Sequence, residues 1–400
     1  MKNYIKRRLY IDKITPYIGK DLIKVLVGQR RVGKSVLMYQ IMDIIKRREK
    51  KASIIYINRE LNEFVAMEDQ KALYDYVKNK AVDGQINYLF VDEVQTISGF
   101  ENALKSLQAE GGYDIYCTGS NADILSGELA TYLGGRYVEV KVYPLGFSEF
   151  LVFHGLENNV ESMNIFLRYG GLPYLKNLPL NDDVIFDYLR NIYMAILFRD
   201  VVERYRVRNV TFLERLVLYL AKHTGTIISA RNIVKFLKSQ RVSISVSSVL
   251  DYLSFLSKAF FVSGVRRSDI TGKQIFEIGE KYYFMDIGLR NVIAGFSPFD
   301  MGLIIENAVY NHLLINSYSV LVGKDKDREV DFICEKGGER KYLQVALRIE
   351  EEQTESREFG NLLAIPDNYP KYVITTDEYS GTSYQGIEHL SLRKFLSGDF

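Results

Sequence analysis

Over the first 150 residues the chain alternates short apolar runs with stretches of helical periodicity. The runs Lys24–Gly28, Ser53–Asn58, Ile86–Asp92, Asp114–Gly119 and Tyr137–Tyr143 are mostly dense in Val, Ile, Tyr and Phe, without strict alternation. Strands covered on both faces have this signature, because neither face meets water. Helical candidates such as Ser35–Arg48 and Phe100–Glu110 lie between them. Strand–helix alternation of this kind predicts a parallel α/β sheet.

From about Gly146 to Arg208 the pattern turns helical, with a break at Gly170-Gly171-Leu172-Pro173. Three helix-sized segments follow, Thr211–His223, Ser229–Gln240 and Ser245–Lys258, with Ser229 and Ser245 placed as N-caps. Phe260–Val265 and Gln274–Met285 then read as two strands joined by a basic turn that carries Arg266, Arg267 and Lys273. Three helices and a hairpin outline a winged helix-turn-helix. The last hundred residues read as a small, separate α/β unit. It has a helix at Leu303–Asn316 and strands at Ser319–Val322, Glu329–Cys334, Tyr342–Val345 and Tyr372–Thr375.

A chain of 400 residues is long enough for two or three domains. With 47% hydrophobic and 26% charged residues and only 7 Pro, it is neither collagen-like nor largely disordered. No apolar run reaches the roughly 18–20 residues of a membrane span, and Lys2, Lys6, Arg7 and Arg8 precede no apolar signal core. Cys117 and Cys334, more than 200 residues apart in apolar runs, read as buried free thiols of a cytosolic protein. The four histidines show no zinc-ligand spacing. Charge is uneven beneath a net +2: Arg199–Lys273 holds 14 Lys/Arg against 5 Asp/Glu, and Met301–Phe400 holds 11 against 17. A basic middle and an acidic end point to different partners.

The strongest chemical signal is Gly28-Gln29-Arg30-Arg31-Val32-Gly33-Lys34-Ser35, after a strand and opening a helix. It fits the phosphate-binding loop in full. Its glycines let backbone N–H groups curl around phosphates, and the helix N-terminus adds positive potential. Gly28, Arg31, Val32, Gly33, Lys34 and Ser35 form the expected nucleotide-binding set, with Lys34 on the β- and γ-phosphates and the Ser35 hydroxyl on Mg²⁺. A second signal, Tyr88-Leu89-Phe90-Val91 running into Asp92-Glu93, puts two carboxylates at a strand end. Asp92 would hold Mg²⁺ through water, and Glu93 would polarise the attacking water.

On these residues the sequence resembles the AAA-type ATPases. Thr118-Gly119-Ser120-Asn121 stands where that class places a polar sensor of the γ-phosphate or the water; Ser120 takes the role by resemblance, with Thr118 the rival. Gly134-Gly135-Arg136-Tyr137-Val138-Glu139-Val140 resembles the segment carrying the arginine finger before the fifth strand. This implies that Arg136 stabilises transition-state charge in a neighbouring subunit or in its own. The plainer reading of Arg136 is a salt-bridged turn residue. Nearly the whole chain also resembles the bacterial and archaeal subgroup that joins this module to a winged helix and a nuclease-like domain. The segments that carry it are Tyr143–Phe150 and Lys281–Arg290.

That resemblance implies an AAA-type ATP-binding domain with a helical extension over 1–208, a winged helix over 209–298, and a restriction-endonuclease-like domain over 299–400. The nuclease fold needs an acid on a helix, an Asp on a strand, then Glu-x-Lys on the next. Glu306 and Asp331 fit the first two positions, but Gln344-Val345-Ala346 lacks both the acid and the lysine. The domain is therefore expected to be an inactive remnant or a protein-interaction module. Glu306 and Asp331, facing each other without a metal, would repel, so one is expected to be protonated or paired with a base such as Arg328 or Arg348. The reading that results is a Mg²⁺-dependent ATPase that couples nucleotide state to the winged helix. Its rivals are a slow or non-hydrolysing switch working through protein contacts and an ATP-gated metal-dependent nuclease. Expected partners are ATP, nucleic acid through residues 199–273, and a protein or a second copy, with no membrane.

Overall fold

The computed structural model describes residues 4–124, 134–239, 244–270, 275–325, 328–348, 359–378 and 383–398. The chain forms two compact units: Met1–Tyr143 with Lys258–Phe260, and Pro144–Ser257 with Phe261–Phe400.

In the first unit, β1 (Ile23–Val27), β2 (Ser53–Asn58), β3 (Asn87–Asp92), β4 (Tyr113–Gly119) and β5 (Tyr137–Lys141) form one sheet in the order β2-β3-β4-β1-β5. Every pairing is parallel. Among the described residues its α-helices are α1 (Arg8–Ile14), α2 (Lys34–Arg48), α3 (Gln70–Lys80) and α4 (Phe100–Glu110). The unalternated apolar runs have their cause here: β1 and β3 are buried at every position. Ile23, Val25 and Val27 share one core with Leu89, Val91, Leu104 and Leu107. Lys24, inside β1, is fully buried. Its ammonium is paired with Asp114 and donates to the Lys20 carbonyl at 2.7 Å, as a charge removed from water requires.

This strand order sets β4 between β1 and β3. The carboxyl ends of the three strands therefore present the loop after Val27, the Thr118–Ser120 segment and the Asp92–Glu93 pair side by side. That edge is where open α/β sheets hold their ligands.

The second unit begins with α5 (Phe147–His154), α6 (Val160–Tyr169) and α7 (Asp182–Ala195), which runs on as a π-helical stretch over Ile196–Glu203. Then come α8 (Val210–Lys222), β6 (Ile227–Ile228), α9 (Ala230–Ser239), α10 (Val246–Lys258), and the hairpin β7 (Val262–Asp269) and β8 (Ile275–Phe284). The two serines cap as expected: Ser229 Oγ accepts from Asn232 N at 3.2 Å and Ser245 Oγ from Ser248 N at 3.1 Å. After α11 (Ile287–Ala294) and α12 (Met301–Ile315) come β9 (Ser319–Asp325), β10 (Arg328–Lys336), β11 (Glu339–Val345), β12 (Lys371–Thr375), β13 (Ser383–Tyr384), β14 (Ile387–Ser391) and α13 (Leu392–Leu396).

The C-terminal strands do not stand apart as the sequence pattern suggested. β7 pairs in parallel with β9 through Arg267↔Val322, Ser268↔Gly323 and Asp269↔Lys324. A nine-stranded sheet results, in the order β13-β14-β12-β11-β10-β9-β7-β8-β6. Phe147, Phe150 and Phe166 also share one core with Tyr283, Ile304, Phe332 and Phe395. The two compact units divide after Tyr143, and strands on both sides of residue 299 share this one sheet. The physical reason is an edge: a hairpin strand exposes unpaired N–H and C=O groups unless another strand covers them.

The break at Gly170-Gly171 packs against the Asp286 segment. Asp286 Oδ2 accepts from Gly171 N at 2.8 Å and Oδ1 from Leu289 N at 3.0 Å, which caps α11. Leu145 N donates to Gly171 O at 2.7 Å. A Cβ on Gly171 would come within 2.2 Å of Leu145 O, so no larger residue fits. The two segments that carried the subgroup resemblance meet in this packing knot.

Candidate nucleotide site

The loop Gly28–Gly33 opens α2 with three residues at positive φ: Gly28 at 155°, Arg31 at 70° and Gly33 at 95°. Changes of backbone hand like these curl N–H groups into an anion-binding concavity. Gly28 is also demanded by space, since a Cβ there would lie 2.1 Å from Val142 O. Lys34, 5% exposed, folds back over the loop and donates to Gly28 O at 2.8 Å and Gln29 O at 3.0 Å. The Gln29 amide is buried, with neither polar atom hydrogen-bonded among the described residues.

The acidic strand end closes on this loop. The Ser35 hydroxyl hydrogen-bonds Asp92, and Asp92 also accepts from Thr118 Oγ1 and, at 3.3 Å, from Tyr56 OH. Burial pushes the Asp92 carboxyl up, against the lowering pull of Ser35, Thr118 and Lys34. Glu93 takes φ 56°, which turns the chain sharply after β3, and its N–H donates to Thr118 Oγ1 at 3.0 Å. Burial raises its carboxyl too. Lys34, a hydrogen bond from Gln95, Arg30 and a hydrogen bond from Ser120 together outweigh this and leave it below the ordinary carboxylate value. Glu93 is therefore ionised at neutral pH.

The comparisons with known proteins agree with this geometry. The family model described as AAA domain matches residues 20–151, and a second, described as a domain of unknown function, matches residues 161–300. An uncharacterized protein of Haemophilus influenzae is 36% identical over 399 residues, covering 97% of this chain and 97% of that protein. The chain belongs to its family. It carries an AAA-type P-loop ATPase fold. An uncharacterized protein of Methanocaldococcus jannaschii is 28% identical over 370 residues, 87% of this chain and 81% of that one. A Walker-type ATPase of Pyrococcus abyssi is similar in structure with a TM-score of 0.49 and 16% identity, over 72% of this chain and 96% of that chain.

Within the AAA domain, the expected loop residues and the Asp92–Glu93 pair come together, and both sensor candidates join them. Thr118 is held by Asp92 and the Glu93 N–H, while Ser120, fully buried, donates to Glu93 Oε2 at 3.1 Å. Arg136 stands elsewhere. It precedes β5, whose Tyr137 pairs with Ile23 at the start of β1, whereas the loop follows the end of β1. Five strand residues separate the two ends, roughly 16 Å at about 3.3 Å each. Arg136 is exposed there, so its own loop is out of reach.

Two residues of this site carried no sequence signal. Arg7, noted from the sequence only among the N-terminal bases, is 2% exposed and donates to Val32 O at 3.0 Å and Tyr143 O at 2.9 Å. It braces the loop from behind. Gln95 hydrogen-bonds the Glu93 carboxylate at 2.5 Å.

In the second unit, Glu306 and Asp331 do meet, but the base between them is neither Arg328 nor Arg348. Lys281, from β8, lies with Nζ 2.9 Å from Glu306 Oε1, 2.8 Å from Glu329 Oε1 and 3.0 Å from Asp331 Oδ1. Asp331 Oδ2 accepts from Val345 N at 2.9 Å, and Tyr283 OH donates to Glu306 at 2.6 Å. Burial, Asp331 and the outnumbered ammonium leave the Glu306 carboxyl raised to about 7. Among the described residues, no group of three or more His, Cys, Asp or Glu is arranged to hold a metal. No described helix is long and apolar enough to cross a membrane. Both cysteines are buried and free.

Proposed function

We propose that this protein is a Mg²⁺-dependent ATPase whose nucleotide state is transmitted to its second unit. The observation that carries the reading is one cluster: the Lys34 ammonium, the Ser35–Asp92 hydrogen bond and the ionised Glu93 at adjacent strand ends. The residues present fit the nucleotide and the metal. A hydroxyl beside one carboxylate is the hard-oxygen pair that suits Mg²⁺ shared with phosphates, and the orphaned Gln29 amide lies within the loop. Bound Mg²⁺ would neutralise charge on the β- and γ-phosphates. Gly28–Gly33 hold the phosphates by backbone N–H groups, Lys34 exchanges its carbonyl partners for phosphate oxygens, and Glu93 takes a proton from the attacking water.

The order α8-β6-α9-α10-β7-β8 supports a winged helix over this stretch. α9 presents Arg231, Lys235 and Lys238 exposed at helical spacing, which favours phosphate contact. α10 instead exposes Val246 and Leu250 beside Ser245 and Ser247, a face suited to a protein and not to base edges. Of the 199–273 basic residues, Arg241 and Lys273 lie outside the described residues. A nuclease has less support, because the Lys281 ammonium occupies the centre of the carboxylate cluster. Arg136, exposed at the far sheet edge, is proposed to serve a neighbouring copy only. Steady-state ATP turnover, run across protein concentration with and without DNA, tests the reading. Turnover per protein that rises with concentration is expected; ATP bound without turnover would favour the non-hydrolysing switch.

A further inference from the structure

The turn after β3 aims one residue back at the carboxylate that precedes it. Because Glu93 adopts a left-handed conformation, the 3-10 turn Val94–Thr96 returns the Gln95 side chain over Glu93. Gln95 Nε2 lies 2.5 Å from Glu93 Oε2 and 3.3 Å from Ser120 Oγ, and Ser120 Oγ is 3.1 Å from the same Oε2. The three groups close a triangle. The amide has only one tenable orientation, since its flip would set two oxygens against each other. That orientation leaves Gln95 Oε1 buried and without a hydrogen-bond partner among the described residues. It lies against the Gly119 backbone and the Ile124 side chain: a Cβ on Gly119 would come within 2.8 Å of Gln95 Oε1 and within 1.5 Å of Ile124 Cδ1.

We infer that Gln95 is a positioning residue for hydrolysis: its Nε2, together with the Ser120 hydroxyl, fixes the Glu93 carboxylate in the orientation from which it takes a proton from the attacking water. This rests on the ATPase reading above. In the step concerned, the water oxygen bonds the γ-phosphorus as the bond from that phosphorus to the β–γ bridging oxygen breaks. One water proton passes to Glu93, and ADP keeps the bridging oxygen and its electron pair. Both hydrogen bonds fall on Glu93 Oε2, which holds the carboxylate in one orientation while the reaction proceeds.

The experiment compares parent, Gln95→Ala and Gln95→Met in ATP affinity and in kcat, the Met variant keeping the side-chain volume should the Ala variant fold poorly. Turnover is expected to fall on the order of 100-fold in both, with ATP affinity within about twofold of the parent. A parent that turns over ATP, with either folded variant matching its kcat, overturns the role of Gln95 alone. A parent that binds ATP without turnover overturns the hydrolysis reading, and this inference with it.

Discussion

Two buried lysines, Lys34 in the first unit and Lys281 in the second, have different surroundings. Lys34 donates to two backbone carbonyls, with Asp92 and Glu93 close enough to feel its charge, whereas Lys281 sits among three carboxylates within 3.0 Å. A polyphosphate can displace the neutral carbonyls from the Lys34 ammonium. Three carboxylates more than neutralise an ammonium, so the region around Lys281 repels a polyanion and holds its cation permanently. One lysine is poised for a ligand and the other replaces one. The same residue type serves binding or structure according to the charge of its acceptors.

The largest effect expected on this contrast is Lys34→Ala, which should abolish ATP turnover and weaken ATP binding several-fold or more, read by calorimetry and steady-state kinetics. Binding as tight as the parent's would move the phosphate site elsewhere. Glu93→Gln should keep ATP affinity while losing hydrolysis, since Asp92 and Ser35 remain; unchanged turnover would assign the base to another residue.

Lys281→Met sharpens the other side. Stranding buried carboxylates without their cation should cost about 3–5 kcal/mol of stability, measured by urea unfolding, with ATP affinity unchanged. A variant as stable as the parent would show that the bridge holds nothing together. Glu306 adds a pH signature. Its carboxyl, raised to about 7 in the fold, stands above the ~4.3 of an unfolded chain. The stability this contributes is full below about pH 4 and is lost as pH rises through about 7. Glu306→Gln mimics the protonated form, so it should gain on the parent between about pH 5 and about pH 8, by on the order of 1–3 kcal/mol. An unchanged difference across that range would place the proton elsewhere.

The smallest effect is expected at α9. Reversing Arg231, Lys235 and Lys238 to Glu should weaken any DNA binding for all sequences alike and flatten its salt dependence. Parent protein that binds no duplex or single strand at low salt would make this face a protein contact.

Much of the first unit was legible because its signals are local. The apolar runs became β1 to β5 within a residue or two at most ends, and Gly28–Ser35 announced the loop by residue type and spacing alone. Asp92 and Glu93 were legible as the acids ending a buried strand. Gln95 lay two residues on and went unread, because nothing in its spacing reveals that Glu93 turns left-handed and sends Gln95 back. Arg136 was legible as an arginine before a strand, but the end of the sheet it occupies depends on the register of β5 against β1.

Hydrophobic period, glycine and capping serines act on their own neighbours, so the sequence by itself determined the strands, the helix starts Ser229 and Ser245, and the turn of Gly28–Gly33 into its helix. Which acids meet which bases is a matter of pairing across the chain. Lys281 meets Glu306, 25 residues away, and Asp331, 50 residues away, only because β8, α12 and β10 converge in one folded unit. The parallel pairing of β7 with β9 likewise joined segments that read as separate domains. Such long-range pairings depend on chain topology and burial, which no local window contains, and only the tertiary structure decided them.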